Sequence, residues 1–289
     1  GKTAYISSLK DINKSSYLLR RNIHRVEKGL VMQPRRDIFA EKYILETVKI
    51  YKEIIKLDNF DNDEKKWATD VLIDYFKTVK DTKKISEARK IFKNNFYINN
   101  SELKYAPYIF DNLPNVEIKY DELKKLFLRR RSVRLYENKV VPINLVNKAI
   151  DLATLAPSAC NRQPYTFYVS DDKKEALEIA KCAGGTPGWA ENIPCTIVVI
   201  GDLSAYPGEK DRHLIYIDGS LATMQLILAF QTLGLSTCTI NWPDIESAER
   251  KLKKLLDLKP YERPVMLLSV GYAKSDGGIP YSQKKNSKT

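Results

Sequence analysis

Cysteine and histidine are scarce in this chain. Its 289 residues hold four cysteines, Cys160, Cys182, Cys195 and Cys238, and two histidines, His24 and His213. No CxxC spacing occurs and no histidine lies beside a cysteine in sequence, so zinc-ribbon and zinc-finger patterns are excluded and no metal is expected. Four scattered thiols in a chain this long fit a reducing compartment better than a disulfide framework. No apolar run reaches the ~18 residues that a membrane span needs. The opening GKTAYISSLKDINKSS also lacks the apolar stretch of a secretory signal. A soluble, cytoplasmic protein without a membrane partner is the expectation.

Nucleotide and nucleic-acid signatures are missing too. GGTPGW, residues 184–189, is neither a Walker loop nor a GxGxxG fingerprint; it reads as a flexible loop flanking a site. Formal charge is +12, but the basic residues are spread along the chain. A nucleic-acid binder more often gathers them on one element with interleaved aromatics. A basic nucleic-acid-binding protein is therefore kept only as a lesser alternative.

What is present falls into two patterns. Residues 1–112 read as helices: Leu19, Ile23 and Val26 after a cap at Ser15 or Ser16, with Gly29 as a stop; Ile44, Val48, Tyr51 and Ile55; Trp67, Val71, Tyr75 and Val79; Ile85, Ala88 and Phe92. These stripes need an apolar surface and are expected to form a layer packed on the remainder of the chain. His24 on the first of them reads as a surface or capping group. YAPYIFDNLPNVEI, residues 105–118, breaks the pattern with two prolines, and its Tyr, Ile and Phe content predicts burial. From 113 to 289, helices alternate with β-branched runs. Helices are expected from a cap at Asp121 to Leu128, from Pro142 until a stop at Pro157, and near 172–182, 218–233 and 245–256. Strands are expected at 166–170, 195–201, 235–240 and 264–271.

Two stretches carry chemistry. In LRRRSVRLY, Arg130, Ser132 and Arg134 are spaced by two, so an extended backbone points them one way while Val133 and Leu135 turn to the core. Guanidinium forks and a hydroxyl suit a phosphate monoester, although basic triplets are common on a chain of this charge. In LAPSACNRQPYTF, a helix ends near Pro157 and a strand begins near Thr166. Pro164 biases Gln163 toward extended geometry, which would display the Asn161 and Gln163 amides on a connector. Amides there can match the donors and acceptors of a heteroaromatic ring, or simply serve as turn residues in a polar loop. Cys160, inside this loop, reads as a small buried residue.

Taken together, RRSVRLYENKVVP followed by APSACNRQPYTFYV resembles the opening of the nitroreductase-like, FMN-dependent oxidoreductases, with a family core at about residues 120–285. The resemblance implies an α+β fold: a mixed central sheet flanked by helices, here with an added N-terminal helical segment. It implies that Arg130, Ser132 and Arg134 hold the flavin phosphate and nearby polar groups, with Arg131 adding a backbone contact. It places Pro157, Ser158 and Asn161 against the flavin from a neighbouring subunit, with Gln163 beside them. Asn241 and Trp242 then approach the hydride-accepting side of the flavin, where many relatives carry Glu-Gly or Gly. Lys284 or Lys285 stands where a late basic pair closes the phosphate site in relatives. The implied protein is a homodimer with FMN at its interface, moving hydride from NADH or NADPH to a small-molecule acceptor by a ping-pong route. No side chain is assigned catalysis, because the flavin carries the chemistry. The competing reading is a flavin-binding protein without turnover that acts through partners.

Overall fold

The computed structural model describes residues 2–10, 16–98 and 101–286. The chain divides into two compact units: 1–115 with 158–162 and 204–209, and the remainder.

The first unit is helical. Its elements are α1 (Lys2–Lys10), α2 (Tyr17–Val31), α3 (Ile44–Ile54), α4 (Asn62–Thr78) and α5 (Lys83–Lys93). Asp61 caps α4 by accepting from the Glu64 N–H at 2.8 Å, and Thr82 caps α5 by accepting from Ile85 at 3.3 Å. The stripes read from the sequence close on one another. Leu19, Ile23, Val48, Tyr51, Val71, Leu72, Tyr75 and Ile85 form a core of their own, each large apolar side chain contributing about 1.5–3 kcal/mol. These helices therefore bury their stripes among themselves. Buried hydroxyls are satisfied inside it: Tyr51 pairs with Thr69 at 2.7 Å, and Tyr75 donates to the Phe39 carbonyl at 2.8 Å.

Local readings in this unit need correction. Ser15 lies outside the described residues, and Ser16 makes no capping bond; its hydroxyl instead bonds Glu64. Gly29 does not stop α2, which runs to Val31. A Cβ at Gly29 would fall 2.3 Å from the Phe39 ring, so close approach, not termination, explains the glycine. Tyr108, Ile109 and Phe110 are exposed, against the expected burial of that segment.

The second unit holds α6 (Tyr120–Arg129), α7 (Ile143–Ala153), β1 (Tyr165–Ser170), α8 (Lys173–Ala180), β2 (Cys195–Asp202), α9 (Leu214–Thr232), β3 (Ser236–Asn241), α10 (Glu246–Leu256) and β4 (Glu262–Gly271). The sheet runs β1-β2-β4-β3, every ladder antiparallel. A parallel component enters through one bridge, Ser132 to Thr237. Side-chain alternation divides β2 and β4 between two cores. Val198, Ile200 and Leu267 face Ile179 of α8 and Leu252 of α10. Ile197, Leu268 and Val270 face Val146 of α7 with Leu226 and Phe230 of α9. This is the expected α+β architecture.

Two boundaries differ here. α6 is closed at its start by the Glu122 carboxylate accepting from the Lys119 N–H at 3.0 Å, so Asp121 lies inside the first turn. α9 begins at Leu214, four residues before the expected start. With the turn before it, Glu209–Thr232 is long and apolar enough to cross a membrane by length and composition, and half of that stretch is buried. The reading that no such run exists is therefore corrected; the polar Asp218 and Gln225 within it concealed the helix's length.

Candidate functional site

The arginine motif is set by the end of a helix. Arg130 closes α6, its N–H reaching the Leu126 carbonyl at 3.0 Å, and its own backbone is already extended. The chain then runs beside β3, with Val133 N–H donating to Thr237 O at 3.0 Å. Period-two alternation follows. Val133, 7% exposed, turns into the core, while Arg130, Ser132 and Arg134 are half-buried on the opposite side. Leu135, expected inside, is exposed. It lines, with Arg129, Arg131 and Lys274, a cleft of about 560 Å³.

The three even-numbered side chains converge on β3. The Ser132 hydroxyl and the Arg130 and Arg134 guanidiniums all act on the Cys238 thiol, each drawing it down. Burial pushes the Cys238 thiol up, and the two guanidiniums and the hydroxyl only partly offset this. Among the described residues, arginine ion pairs are made by Arg20, Arg89, Arg250 and Arg263. Arg130 and Arg134 have no carboxylate partner there. Two unneutralised guanidiniums beside a hydroxyl form a receptor for an anion.

Neighbouring groups fix this face. Tyr136 is buried, and its hydroxyl meets the Val133 carbonyl at 2.6 Å and the Ser269 hydroxyl at 2.7 Å; burial raises the phenol, which stays a neutral donor. Gly271 gives the Tyr136 ring room, since a Cβ there would lie 2.7 Å from it. Asn192 bonds the backbone on both sides of Leu135: its Oδ1 accepts from Tyr136 N–H at 3.0 Å, and its Nδ2 donates to the Arg134 carbonyl. Trp189, from the loop expected to flank the site, has its ring centroid 5.8 Å from the Arg134 guanidinium carbon. Asn192 and Tyr136 carried no signal in the sequence. Trp189 did, through its glycine-rich loop.

The other predicted residues divide. Arg131 turns away from the convergent face and donates to the Pro280 carbonyl at 2.9 Å and to that of Tyr281. It thereby anchors the tail that carries the exposed Lys284 and Lys285. Asn241 ends β3, exposed. Trp242 follows it, half-buried against the core that includes Val133 and Ile240; its indole Nε1 is buried with no partner among the described residues. Pro157 and Gln163 belong to the second unit, Ser158 and Asn161 to the first. Gln163 is not extended. Its φ is 49°, as Cys160 has 54° and Asn161 51°, and its amide donates to the Thr154 carbonyl at 2.7 Å. That tie to the end of α7 overrides the bias from Pro164. Cys160 is half-buried rather than buried. His24 is half-buried and lies 3.5 Å from Glu27. No metal-binding cluster occurs among the described residues.

The chain is similar to known proteins in sequence and in fold. A family model described as "Nitroreductase family" matches residues 128–187 and 182–272. A protein of Archaeoglobus fulgidus named "Putative NADH dehydrogenase/NAD(P)H nitroreductase" is 31% identical over 161 residues, 54% of this chain and 88% of that protein. Human iodotyrosine deiodinase 1 is 25% identical over 63% of this chain and 73% of its own length. A crystal structure of the putative nitroreductase ydfN from Bacillus subtilis shares the fold, with a TM-score of 0.53 at 20% identity over 58% of this chain and 96% of that one.

Proposed function

Because the chain belongs to the nitroreductase family and is an oxidoreductase by that membership, we propose that it is an FMN-dependent NAD(P)H oxidoreductase. The observation that carries the cofactor is the convergence of Arg130, Ser132 and Arg134 without a neutralising carboxylate. The residues fit the group: two guanidiniums and a hydroxyl match a phosphate monoester, and the orphaned Trp242 Nε1 is a buried donor seeking an acceptor. When bound, FMN supplies a two-electron carrier that accepts hydride from NAD(P)H and passes it to a small-molecule acceptor in alternating half-reactions.

The protein's part is to bind and to exclude water. Arg130 and Arg134 neutralise the phosphate, Ser132 adds a hydroxyl donor, and Asn241 and Trp242 border the redox side. Lys284 supplies late positive charge from the tail that Arg131 anchors. Pro157, Ser158, Asn161 and Gln163 form a loop that meets the flavin of a second copy, making a homodimer with the cofactor at its interface. Exposed apolar residues support this reading. In the first unit Phe110 is 82% exposed, and in the second Val116 is 88% exposed. α6 is amphipathic yet buries no residue, and α9 leaves Tyr216, Ile217, Leu221 and Met224 in solvent. Apolar side chains left in solvent on these elements are what a subunit interface would cover.

One set of variants tests both parts. Arg130→Ala with Arg134→Ala should fold but purify colourless, each charged hydrogen bond being worth about 1.5–3 kcal/mol. Stoichiometric FMN in that double variant would refute the phosphate assignment. Mixing inactive Arg130→Ala and Asn161→Asp chains should restore some activity, because a heterodimer places both defects in one site and none in the other. No recovery after demonstrated subunit exchange would count against a shared site. Anaerobic bleaching of the yellow wild type by NADH or NADPH separates an enzyme from a silent flavin binder.

A further inference from the structure

The loop of residues 158–162 belongs to the helical unit, and its backbone is costly. Cys160 and Asn161 both occupy the left-handed region with φ of 54° and 51°. Residues held in such regions are strained and persist only where their surroundings fix them. Inside the loop, Arg162 donates to the Ala159 carbonyl at 3.3 Å, and its guanidinium carbon lies 5.0 Å from the Tyr206 ring centroid. From α2, Arg20 Nε donates to the Asn161 carbonyl at 2.9 Å.

Arg20 is itself held on two sides. Its Nη1 donates to Glu64 Oε2 at 2.7 Å, and its guanidinium carbon lies 5.3 Å from the Trp67 ring centroid. Trp67 Nε1 in turn donates to Glu27 at 2.8 Å. The Arg20 and Glu64 side chains are 16% and 9% exposed. Burial pushes the Glu64 carboxyl up further than Arg20 and Ser16 draw it down. An ion pair that is largely desolvated adds little net stability, and apolar replacement of both partners is often neutral or better. What the pair does supply is direction: a planar fork held by carboxylate and indole, with its Nε N–H aimed at the Asn161 carbonyl.

We propose that Arg20 is a positioning residue for the flavin site, holding the 158–162 loop in the left-handed conformation that displays the Asn161 amide. The helical unit thereby sets cofactor affinity. The proposal rests on the flavin reading above.

The contrast that tests it uses the full chain. Arg20→Met with Glu64→Met removes the donor to Asn161 together with the carboxylate that Arg20 pairs with. Glu64→Gln keeps that donor. Deflavinated protein is titrated with FMN, following flavin fluorescence and the visible spectrum of the bound form, and thermal unfolding is recorded in parallel. The double variant should weaken FMN at least about tenfold, the loss of one charge-assisted hydrogen bond, and blur the bound spectrum, with an unchanged or higher Tm. Glu64→Gln should keep wild-type affinity. Wild-type affinity and spectrum in the double variant, or equal loss in Glu64→Gln, overturn the proposal. Should the double variant fail to fold, Arg20→Lys takes its place, because an ammonium keeps the ion pair but lacks the fork; wild-type affinity there overturns the proposal equally. Trypsin cleavage after Arg162 in the flavin-free protein gives an independent reading: faster cleavage in the double variant is expected, and an unchanged rate sinks the clamp. A wild type that takes up no FMN would refute the flavin reading by itself, with the cleavage rates still deciding the clamp.

Discussion

Tyr136 shows how much of the site is held by one hydroxyl. The group is buried between the Val133 carbonyl and Ser269 Oγ, and Val133 is the peptide between Ser132 and Arg134. Tyr136→Phe leaves both partners buried, which costs about 1–3 kcal/mol. The urea midpoint should therefore fall with an unchanged slope, and FMN affinity should fall with it. A variant with the wild-type midpoint would show that neither group depends on the phenol. Single residues were legible in the sequence where spacing alone fixes direction. Arg130, Ser132 and Arg134 share a face because an extended chain alternates. Gln163 was not legible: the rule for residues before proline acts within a dipeptide, whereas its bond to Thr154 comes from nine residues away. Asn192 offered nothing to read either, since both of its bonds close over more than fifty residues of sequence.

Among the elements, β2 and β4 were readable because apolar β-branched runs have few alternatives to a central strand, and the structure adds their pairing and the irregularity between Val199 and Ile200. Helix ends were less readable. Gly29 lies inside α2 because Phe39 approaches it, a contact that local sequence does not encode. α2 also carries a titration. His24 is half-buried, and burial, then Lys28, draw its pKa below the ordinary 6.5. The unfolded chain then binds more protons than the fold between the lowered value and 6.5. Stability is full above 6.5 and declines as pH falls through that window. Glu27, 3.5 Å away, has the opposite sign, because burial raises its carboxyl above 4.5. His24→Gln should flatten the decline in the urea midpoint on the acid side of neutrality relative to wild type. Superimposable pH profiles for the two proteins would remove His24 from the linkage.

At the scale of the whole molecule, two hydrophobic cores decide what depends on what. The helical unit buries Leu19, Tyr51, Leu72 and Tyr75 among themselves, and the sheet unit closes its own cores around Val198 and Leu268. The amphipathic stripes announced that the first helices must bury something, but period alone does not say against which residues; the structure shows a core among the helices themselves. The buried residues of the sheet unit's cores all lie outside residues 1–112. The segments 158–162 and 204–209 depend on residues 1–112, since they pack as part of the helical unit and Arg20 bonds the Asn161 carbonyl. Deleting residues 1–112 should leave a chain whose far-ultraviolet spectrum still reports a folded sheet. The Asn161 loop, stripped of its holders and left with non-glycine residues in the left-handed region, should relax. FMN affinity should drop at least about tenfold, the scale of a lost charge-assisted hydrogen bond, acceptor selectivity should broaden, and trypsin should cut after Arg162. Newly bared apolar groups in those two segments should also make the truncated chain aggregate at concentrations where the full chain does not. A soluble truncated dimer with unchanged flavin affinity and unchanged acceptor selectivity would show that the helical unit has no hold on the site.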